Sequence, residues 1–155
     1  MLPPKRIMSP IDFSHPSAEA VKEATDLAAH FKAEMLLVYV VPAIPKLPST
    51  VSMFKEGEYE QALHRDALQR LEEMAKKISQ QGIRVRCLVG TANDVGMELV
   101  RLAEQENVDL IVIATHGMTG WRRLAFGSVT EKVVRTAECP VLVMRAKAEE
   151  LAAAS

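Results

Sequence analysis

The segment 114–128 holds the residues whose types and spacing most clearly suggest chemistry. It contains three glycines, Gly117, Gly120 and Gly127. An apolar run at 110–113, which predicts a buried strand, precedes it, and apolar residues with helical spacing follow it. These are Val129, Val133, Val134 and Ala137. The first N–H groups of a helix lack partners within the helix and carry the positive end of its dipole. Glycine lets a ligand approach such a backbone closely, so the segment predicts a phosphate-binding site.

The start of this last helix has two interpretations. Ser128 and Glu131 have the spacing of a capping box, which would explain both residues without any ligand. The N–H of Gly127 and the hydroxyl of Ser128 could instead contact phosphate, with capping as the resting role. Thr130, in the same first turn, would supply a second hydroxyl or face solvent.

The loop between the glycines and the helix carries further polar groups. Arg122 or Arg123 could reach a phosphate with a forked donor, or both could belong to a solvated basic loop above Trp121. His116 lies in the same loop and is predicted to be structural rather than catalytic. The four histidines offer no i,i+4 pair, so no metal site is expected.

Asp12 follows the first predicted strand. Its carboxylate could accept a hydrogen bond from a base amino group or a ribose hydroxyl of a nucleotide. Alternatively, it could close an Asx turn with Ser14. Its expected place opposite the glycine loop favours the ligand.

The elements that must position these residues alternate strictly along the chain. Strands are predicted at 5–11, 34–41, 83–89, 110–113 and 140–144, and helices at 16–31, 59–81, 93–106 and from 128 onward. Five strands and four helices in this order predict an α/β fold, a parallel sheet with helices on both faces. Ligands of such sheets bind beyond the carboxyl ends of the strands, which brings Asp12 and the glycine loop to one rim.

The ends of several elements are predicted from proline, glycine and capping residues. The connection 42–56 has prolines at 42, 45 and 48 and cannot be helical throughout. Such a long connection is usually a lid, a binding loop or a mobile segment, and this one could close over a bound adenine as a lid. Gly82 is expected to end the second helix, and Asn93 to cap the third. One domain spans 1–145, and 146–155 is expected to be a frayed tail.

Composition narrows the functional class. The chain has 155 residues, 48% hydrophobic content and a net charge of −1, so a basic nucleic-acid-binding surface is not expected. No apolar run approaches the ~20 residues of a membrane span, and the N-terminus does not resemble a signal peptide. Cys87 and Cys139 are predicted to be buried free thiols, which indicates a cytoplasmic protein.

Common catalytic and nucleotide motifs are absent from the sequence. There is no Walker-type phosphate loop, no early G-x-G-x-x-G, no G-x-S-x-G and no H-x-G-H-type motif near the first strand. A hydrolase nucleophile and a nucleotidyl-transferring enzyme are therefore unsupported.

The residues described above resemble the universal stress protein family, and the resemblance covers nearly the whole chain. That family's nucleotide signature is a glycine, two residues, a glycine, nine residues, then a glycine followed by Ser or Thr. Gly117, nine residues and Gly127-Ser128 match its later part, while Ala114 stands at the first glycine. Four other stretches are similar in the same order: 9–14 (SPIDFS), 37–40 (LVYV), 128–133 (SVTEKV) and 139–143 (CPVLV).

The resemblance implies a Rossmann-like sheet of the adenine nucleotide alpha hydrolase type, a homodimer, and an adenine nucleotide as cofactor. That cofactor is ATP, or AMP or ADP, with Mg²⁺ as an ion that the phosphates could carry. Pro10, Asp12 and Val40 would frame adenine and ribose, and Gly117, Gly127, Ser128, Val129 and Thr130 would hold the phosphates. Ala114 serves in place of glycine if the position needs only a small side chain, which is expected because a residue that ends a strand normally has negative φ.

Two functions remain open from the sequence. The first is a cytoplasmic ATP-binding universal stress protein that acts through nucleotide-dependent conformation or partners, with at most slow hydrolysis, and is not an enzyme. The second is a nucleotide-independent dimeric interaction protein. Dimerisation is expected through the last strand, because its apolar residues would otherwise form an unpaired edge.

Overall fold

The computed structural model describes residues 3–43, 53–115 and 127–145. Over these residues strands and helices alternate, as predicted. The strands are β1 (Arg6–Pro10), β2 (Glu34–Pro42), β3 (Val85–Ala92), β4 (Leu110–Ala114) and β5 (Val141–Met144). The helices are α1 (His15–Phe31), α2 (Met53–Ser79), α3 (Val95–Gln105) and α4 (Ser128–Thr136). The predicted tail 146–155, and residues 44–52 of the predicted connection 42–56, lie outside the described residues.

The strands form one parallel sheet in the order β3-β2-β1-β4-β5. Helices α1 and α2 cover one face, where Val21, Ala24, Leu71 and Ile78 belong to the first core cluster. Helices α3 and α4 cover the other face, where Leu99, Val100 and Val133 belong to the second. The predicted α/β sheet with helices on both faces is therefore confirmed.

Burial on both faces explains the continuous apolar run of β2. Because successive side chains of a strand point to opposite faces, Met35 and Leu37 pack in the first cluster, while Leu36 and Val38 pack in the second. All four are completely buried. A central parallel strand needs apolar residues at every position.

The starts of α2 and α3 differ most from the prediction. Helix α2 begins at Met53, so the last residues of the predicted connection 42–56 are helical. The N-cap of α3 is Asp94 rather than Asn93, and its carboxylate accepts a hydrogen bond from the Met97 N–H at 3.0 Å. That hydrogen bond lowers the pKa of Asp94 from its ordinary range. Gly82 follows α2 with a φ of 82°, the left-handed conformation expected of it.

The two thiols are half-buried and form no disulfide. Burial raises the pKa of Cys87, and it also raises the pKa of Cys139. Burial therefore disfavours the thiolate, which is the reactive form, at both positions. None of the described helices has both the length and the apolar composition that a bilayer crossing needs.

Candidate functional site

The order of the strands places a crevice at the middle of the sheet. The chain leaves β1 toward β2 and β3 on one side, and β4 and β5 lie on the other side. The two connections that follow β1 and β4 therefore diverge to opposite faces. In open α/β sheets this switch point, beyond the carboxyl ends of the strands, is where ligands bind.

The ends of β1 and β4 are held level with each other. Ile7 pairs with Leu110 and Met8 with Ile111. The completely buried hydroxyl of Ser9 donates to the carbonyl of Val112 at 3.2 Å. Pro10 and Ala114, the last residues of the two strands, consequently lie at the same rim.

Asp12 lies just beyond β1 at this rim and is half-buried. Its Oδ1 accepts hydrogen bonds from the Ser14 N–H, at 3.0 Å, and from the Ser14 hydroxyl. The predicted Asx turn with Ser14 is therefore present. Ser14 is the N-cap of α1 and accepts from the Ser17 N–H, so the turn leads directly into the helix.

Phe13 is a residue of this rim that the sequence analysis missed. Its φ is 63°, in the left-handed region that bulky side chains rarely adopt. Its ring packs against Tyr39, with centroids 5.1 Å apart, and the Arg70 guanidinium lies 3.7 Å from the ring centroid. Phe13, Tyr39 and Arg70 form a cluster that we call the clamp. The sequence carries no signal for it, because its three residues come from elements distant in sequence.

The start of α4 differs from the predicted capping box. The N-cap is Gly127, with φ −62° and ψ 154°, and the first intrahelical bond runs from the Glu131 N–H to the Gly127 carbonyl at 2.9 Å. Ser128 is thus the first helical residue rather than the cap, so its hydroxyl does not occupy the capping position. The predicted capping box of Ser128 and Glu131 is therefore wrong, because the N-cap lies one residue earlier, at Gly127.

Gly127 is tied to the end of β4. Its N–H donates to the carbonyl of Thr115 at 2.8 Å. An α-helix leaves the N–H groups of its first turn without acceptors inside the helix, here those of Ser128, Val129 and Thr130. These three N–H groups could therefore donate to a ligand, whereas the Gly127 N–H already donates to Thr115.

The side chain of Thr130 makes a buried contact that the sequence did not predict. It is 4% exposed, and its hydroxyl donates to the carbonyl of Ala114 at 2.7 Å. The predicted exposure of this hydroxyl to solvent is therefore wrong, and its contact with a phosphate stays a prediction. Together with the Gly127–Thr115 bond, it fastens the first turn of α4 to the end of β4.

Ala114 has the conformation that was predicted for it. It is the last residue of β4, pairs with Met144, and is not among the described residues with positive φ. Alanine is therefore accommodated without backbone strain where the family signature has glycine. Pro10 is buried at the end of β1, and Val40 is 6% exposed with its side chain in the second cluster.

The remaining predicted residues of the glycine loop lie outside the described residues. They are His116, Gly117, Gly120, Trp121, Arg122 and Arg123. A shallow depression of about 420 Å³ runs along α3 past Met97 and Val100, away from the predicted site residues. The described residues contain no group of three or more His, Cys, Asp or Glu that could hold a metal ion.

Comparison with known proteins agrees with this architecture. The model of the universal stress protein family matches residues 3–145. Universal stress protein MJ0531 of Methanocaldococcus jannaschii is 35% identical over 151 residues, covering 94% of this chain and 85% of the relative.

Many solved structures share the fold, among them those of MJ0577 and of an Arabidopsis thaliana protein. The structure of MJ0577 superposes with a TM-score of 0.77 at 31% identity, covering 92% of this chain and 96% of that one. A universal stress protein from Arabidopsis thaliana, solved with AMP bound, gives a TM-score of 0.67 at 21% identity, covering 95% of each chain. The match across residues 3–145 and the identity to MJ0531 establish that this chain belongs to the universal stress protein family.

Proposed function

We propose that this protein is a cytoplasmic ATP-binding module that acts through nucleotide-dependent conformation or partners, with at most slow hydrolysis. The observation that carries the proposal is the convergence of two segments at the switch point of the sheet. The Asp12 turn follows β1, and the first turn of α4 follows β4. Both lie at the rim where α/β sheets bind ligands.

The first turn of α4 supports phosphate binding. The N–H groups of Ser128, Val129 and Thr130 have no acceptors within the helix, and the helix dipole adds partial positive charge there. Ser128 is exposed, so its hydroxyl is accessible to a phosphate. The lack of a side chain at Gly127 would let the phosphates approach this turn, Gly117 would complete the phosphate contacts, and Mg²⁺, if bound, would be held through the phosphates.

Asp12 supports recognition of the nucleoside. Its carboxylate is half-buried, and the Asx turn fixes its position beside the end of β1. A carboxylate in this place can accept a hydrogen bond from a ribose hydroxyl or a base amino group. Pro10, Val40 and Ala114 would line the adenine and ribose. The AMP bound by the Arabidopsis protein of the same fold agrees with an adenine nucleotide as the ligand.

The test is titration calorimetry of the purified protein with ATP and with AMP. We expect micromolar affinity for ATP in the wild type and an affinity at least about tenfold weaker for Gly127→Val, because the valine side chain would meet the phosphates. Gly127 has φ −62° and ψ 154°, which valine adopts readily, so the loss would not come from backbone strain.

Gly57→Ala is the matched control for this experiment. Gly57 lies in α2, and a Cβ added there meets nothing within 4 Å, so ATP affinity should stay unchanged. A wild-type protein that binds neither ATP nor AMP would contradict the proposal, and so would a Gly127→Val variant with full affinity.

A second function, a nucleotide-independent interaction protein, is favoured by one observation. The Gly127 N–H and the Thr130 hydroxyl both have acceptors within the chain, so part of the candidate phosphate site is satisfied without a ligand. Mass spectrometry of the supernatant after denaturation separates the two functions. Released ATP, ADP or AMP supports the first function, and its absence together with a flat titration supports the second.

We also propose a homodimer through β5. This strand pairs with β4 on one side, and the other side is an edge of the described sheet. Leu142 on β5 is 37% exposed, and Val134 on the adjacent α4 is 43% exposed. An apolar edge strand is a liability for a monomer, and a second copy would cover it.

A further inference from the structure

Phe13 adopts a conformation that needs a physical cause. Its φ of 63° lies in the left-handed region, where the Cβ of an L residue crowds the backbone. Asn and Gly tolerate this region, but a phenylalanine persists there only when its surroundings hold it. Such held positions cluster at functional sites, and this one directly follows Asp12.

The side chain of Phe13 is held from two other elements. The ring of Tyr39, on β2, lies with its centroid 5.1 Å from that of Phe13, at an interplanar angle of 43°. From α2, the Arg70 guanidinium lies over the Phe13 ring, 3.7 Å from its centroid, in cation–π geometry. Phe13 also packs against the first core cluster, so its ring is fixed on several sides.

The backbone of Phe13 is the inner part of the Asx turn. The hydrogen bond from the Ser14 N–H to Asp12 Oδ1, at 3.0 Å, closes across Phe13. The φ and ψ of Phe13 therefore set whether this N–H points at the carboxylate. On the other side, the Ile11 N–H donates to the Val38 carbonyl at 2.9 Å, which anchors the chain before Asp12.

We infer that Phe13, clamped between Tyr39 and Arg70, is a positioning residue that holds the Asp12 carboxylate for the nucleotide. The clamp acts through Asp12 and does not itself contact the ligand. The part of this inference that concerns the nucleotide rests on the proposed function. The part that concerns how Phe13 and Arg70 hold Asp12 in the free protein does not depend on that function.

The first measurement needs no nucleotide. The amide exchange rate of Ser14 is followed by NMR in the wild type, in Phe13→Ala and in Arg70→Gln. We expect about tenfold faster exchange in Phe13→Ala and a smaller increase in Arg70→Gln, because the hydrogen bond to Asp12 opens more often when the clamp is loosened. Arg65→Gln, an exposed arginine of the same helix, is the control and should leave the rate unchanged.

The second measurement is a double-mutant cycle on ATP affinity with Asp12→Ala. We expect Phe13→Ala to weaken binding about tenfold when Asp12 is present and less than about twofold when it is absent, since a residue that acts through Asp12 has no effect without it. A merely structural role would weaken binding equally in both backgrounds. Arg70→Gln, which leaves the ring in place, serves in the same cycle if Phe13→Ala does not fold.

Two results would overturn the inference: an unchanged Ser14 exchange rate in both variants, or equal losses of ATP affinity with and without Asp12. A wild-type protein that binds no adenine nucleotide would contradict the proposed function instead. In that case the Ser14 exchange rates still decide whether Phe13 and Arg70 hold Asp12.

Discussion

At the scale of single residues, the candidate site depends on hydrogen bonds between groups far apart in sequence. Thr130, in the first turn of α4, donates its buried hydroxyl to the carbonyl of Ala114 on β4. A threonine near a helix start usually serves its own helix or the solvent. Here it joins the helix that would hold phosphate to the strand before it, so the position of the helix start is tied to the end of β4.

Substitution of Thr130 tests this connection. Thr130→Val keeps the shape of the side chain and removes the buried hydrogen bond, so the free energy of unfolding should fall by about 1–2 kcal/mol. Thr136→Val is the matched control, because the Thr136 hydroxyl also donates to a carbonyl, that of Lys132 at 2.7 Å, but is exposed. It should change stability by less than about 0.5 kcal/mol. Urea denaturation of both variants measures the difference, and equal effects would contradict the role given to Thr130.

At the scale of secondary structure, α3 sets the position of α4. A Cβ added to Gly96 on α3 would lie 2.7 Å from Lys132 Cβ and 3.3 Å from the Val129 carbonyl oxygen. Asp94 and Lys132 form an ion pair across the same contact, at 3.4 Å. The absence of a side chain at Gly96 therefore allows the first turn of α4 to lie close to α3.

Gly96→Ala should separate the two helices. We expect the free energy of unfolding to fall by about 1–3 kcal/mol, as for other insertions of a methyl group into a tight contact. ATP affinity should fall as well, because Val129 belongs to the turn proposed to hold phosphate. In contrast, Gly57→Ala should raise stability by about 0.5–1 kcal/mol, since an exposed helical glycine is replaced without a clash. Thermal denaturation and calorimetry of the two variants provide the comparison, and a Gly96→Ala protein as stable as the wild type would refute the argument.

At the scale of the whole molecule, the two edges of the described sheet differ. Strand β3 forms one edge and carries charged and polar side chains such as Arg86, which pairs with Glu106 at 2.8 Å. The short strand β5 forms the other edge and is apolar throughout, VLVM. Charged residues protect an edge from pairing with another chain, so β5 is the edge suited to a second copy.

Leu142→Lys should convert the proposed dimer to a monomer. A lysine in the centre of β5 would place like charges near each other across a symmetric interface, which disfavours the pairing. Leu68→Lys is the control, because Leu68 on α2 is exposed to nearly the same extent, 38% against 37% for Leu142. Sedimentation velocity should give a dimer for the wild type and for Leu68→Lys, and a monomer for Leu142→Lys. A monomeric wild type would contradict the proposed dimer.

Three predictions made from the sequence differ from the structure for local reasons. Asn93 and Asp94 are both good caps by residue type, and only the geometry shows that the Asp94 carboxylate is the one that accepts from the Met97 N–H. The helical spacing assigns Val134 with Val133 to one apolar face of the last helix, but the Val134 side chain is 43% exposed. The nine-residue helix α4 buries only a narrow stripe, which includes Val133. The three prolines at 42, 45 and 48 led to the prediction of an irregular connection as far as residue 56. Helix α2 nevertheless begins at Met53, after the last of these prolines.

The sequence by itself determined the order of the elements, the buried central strands, the rim that carries Asp12 and the start of α4, and the family resemblance. These follow from periodicity and from motifs that lie within short stretches of chain. Only the tertiary structure decided which polar groups are already engaged. The Gly127 N–H donates to the Thr115 carbonyl, and the Thr130 hydroxyl donates to the Ala114 carbonyl. The Phe13 ring packs against Tyr39 and Arg70. Each of these contacts joins residues from separate elements, so their partners are set by packing rather than by any local pattern.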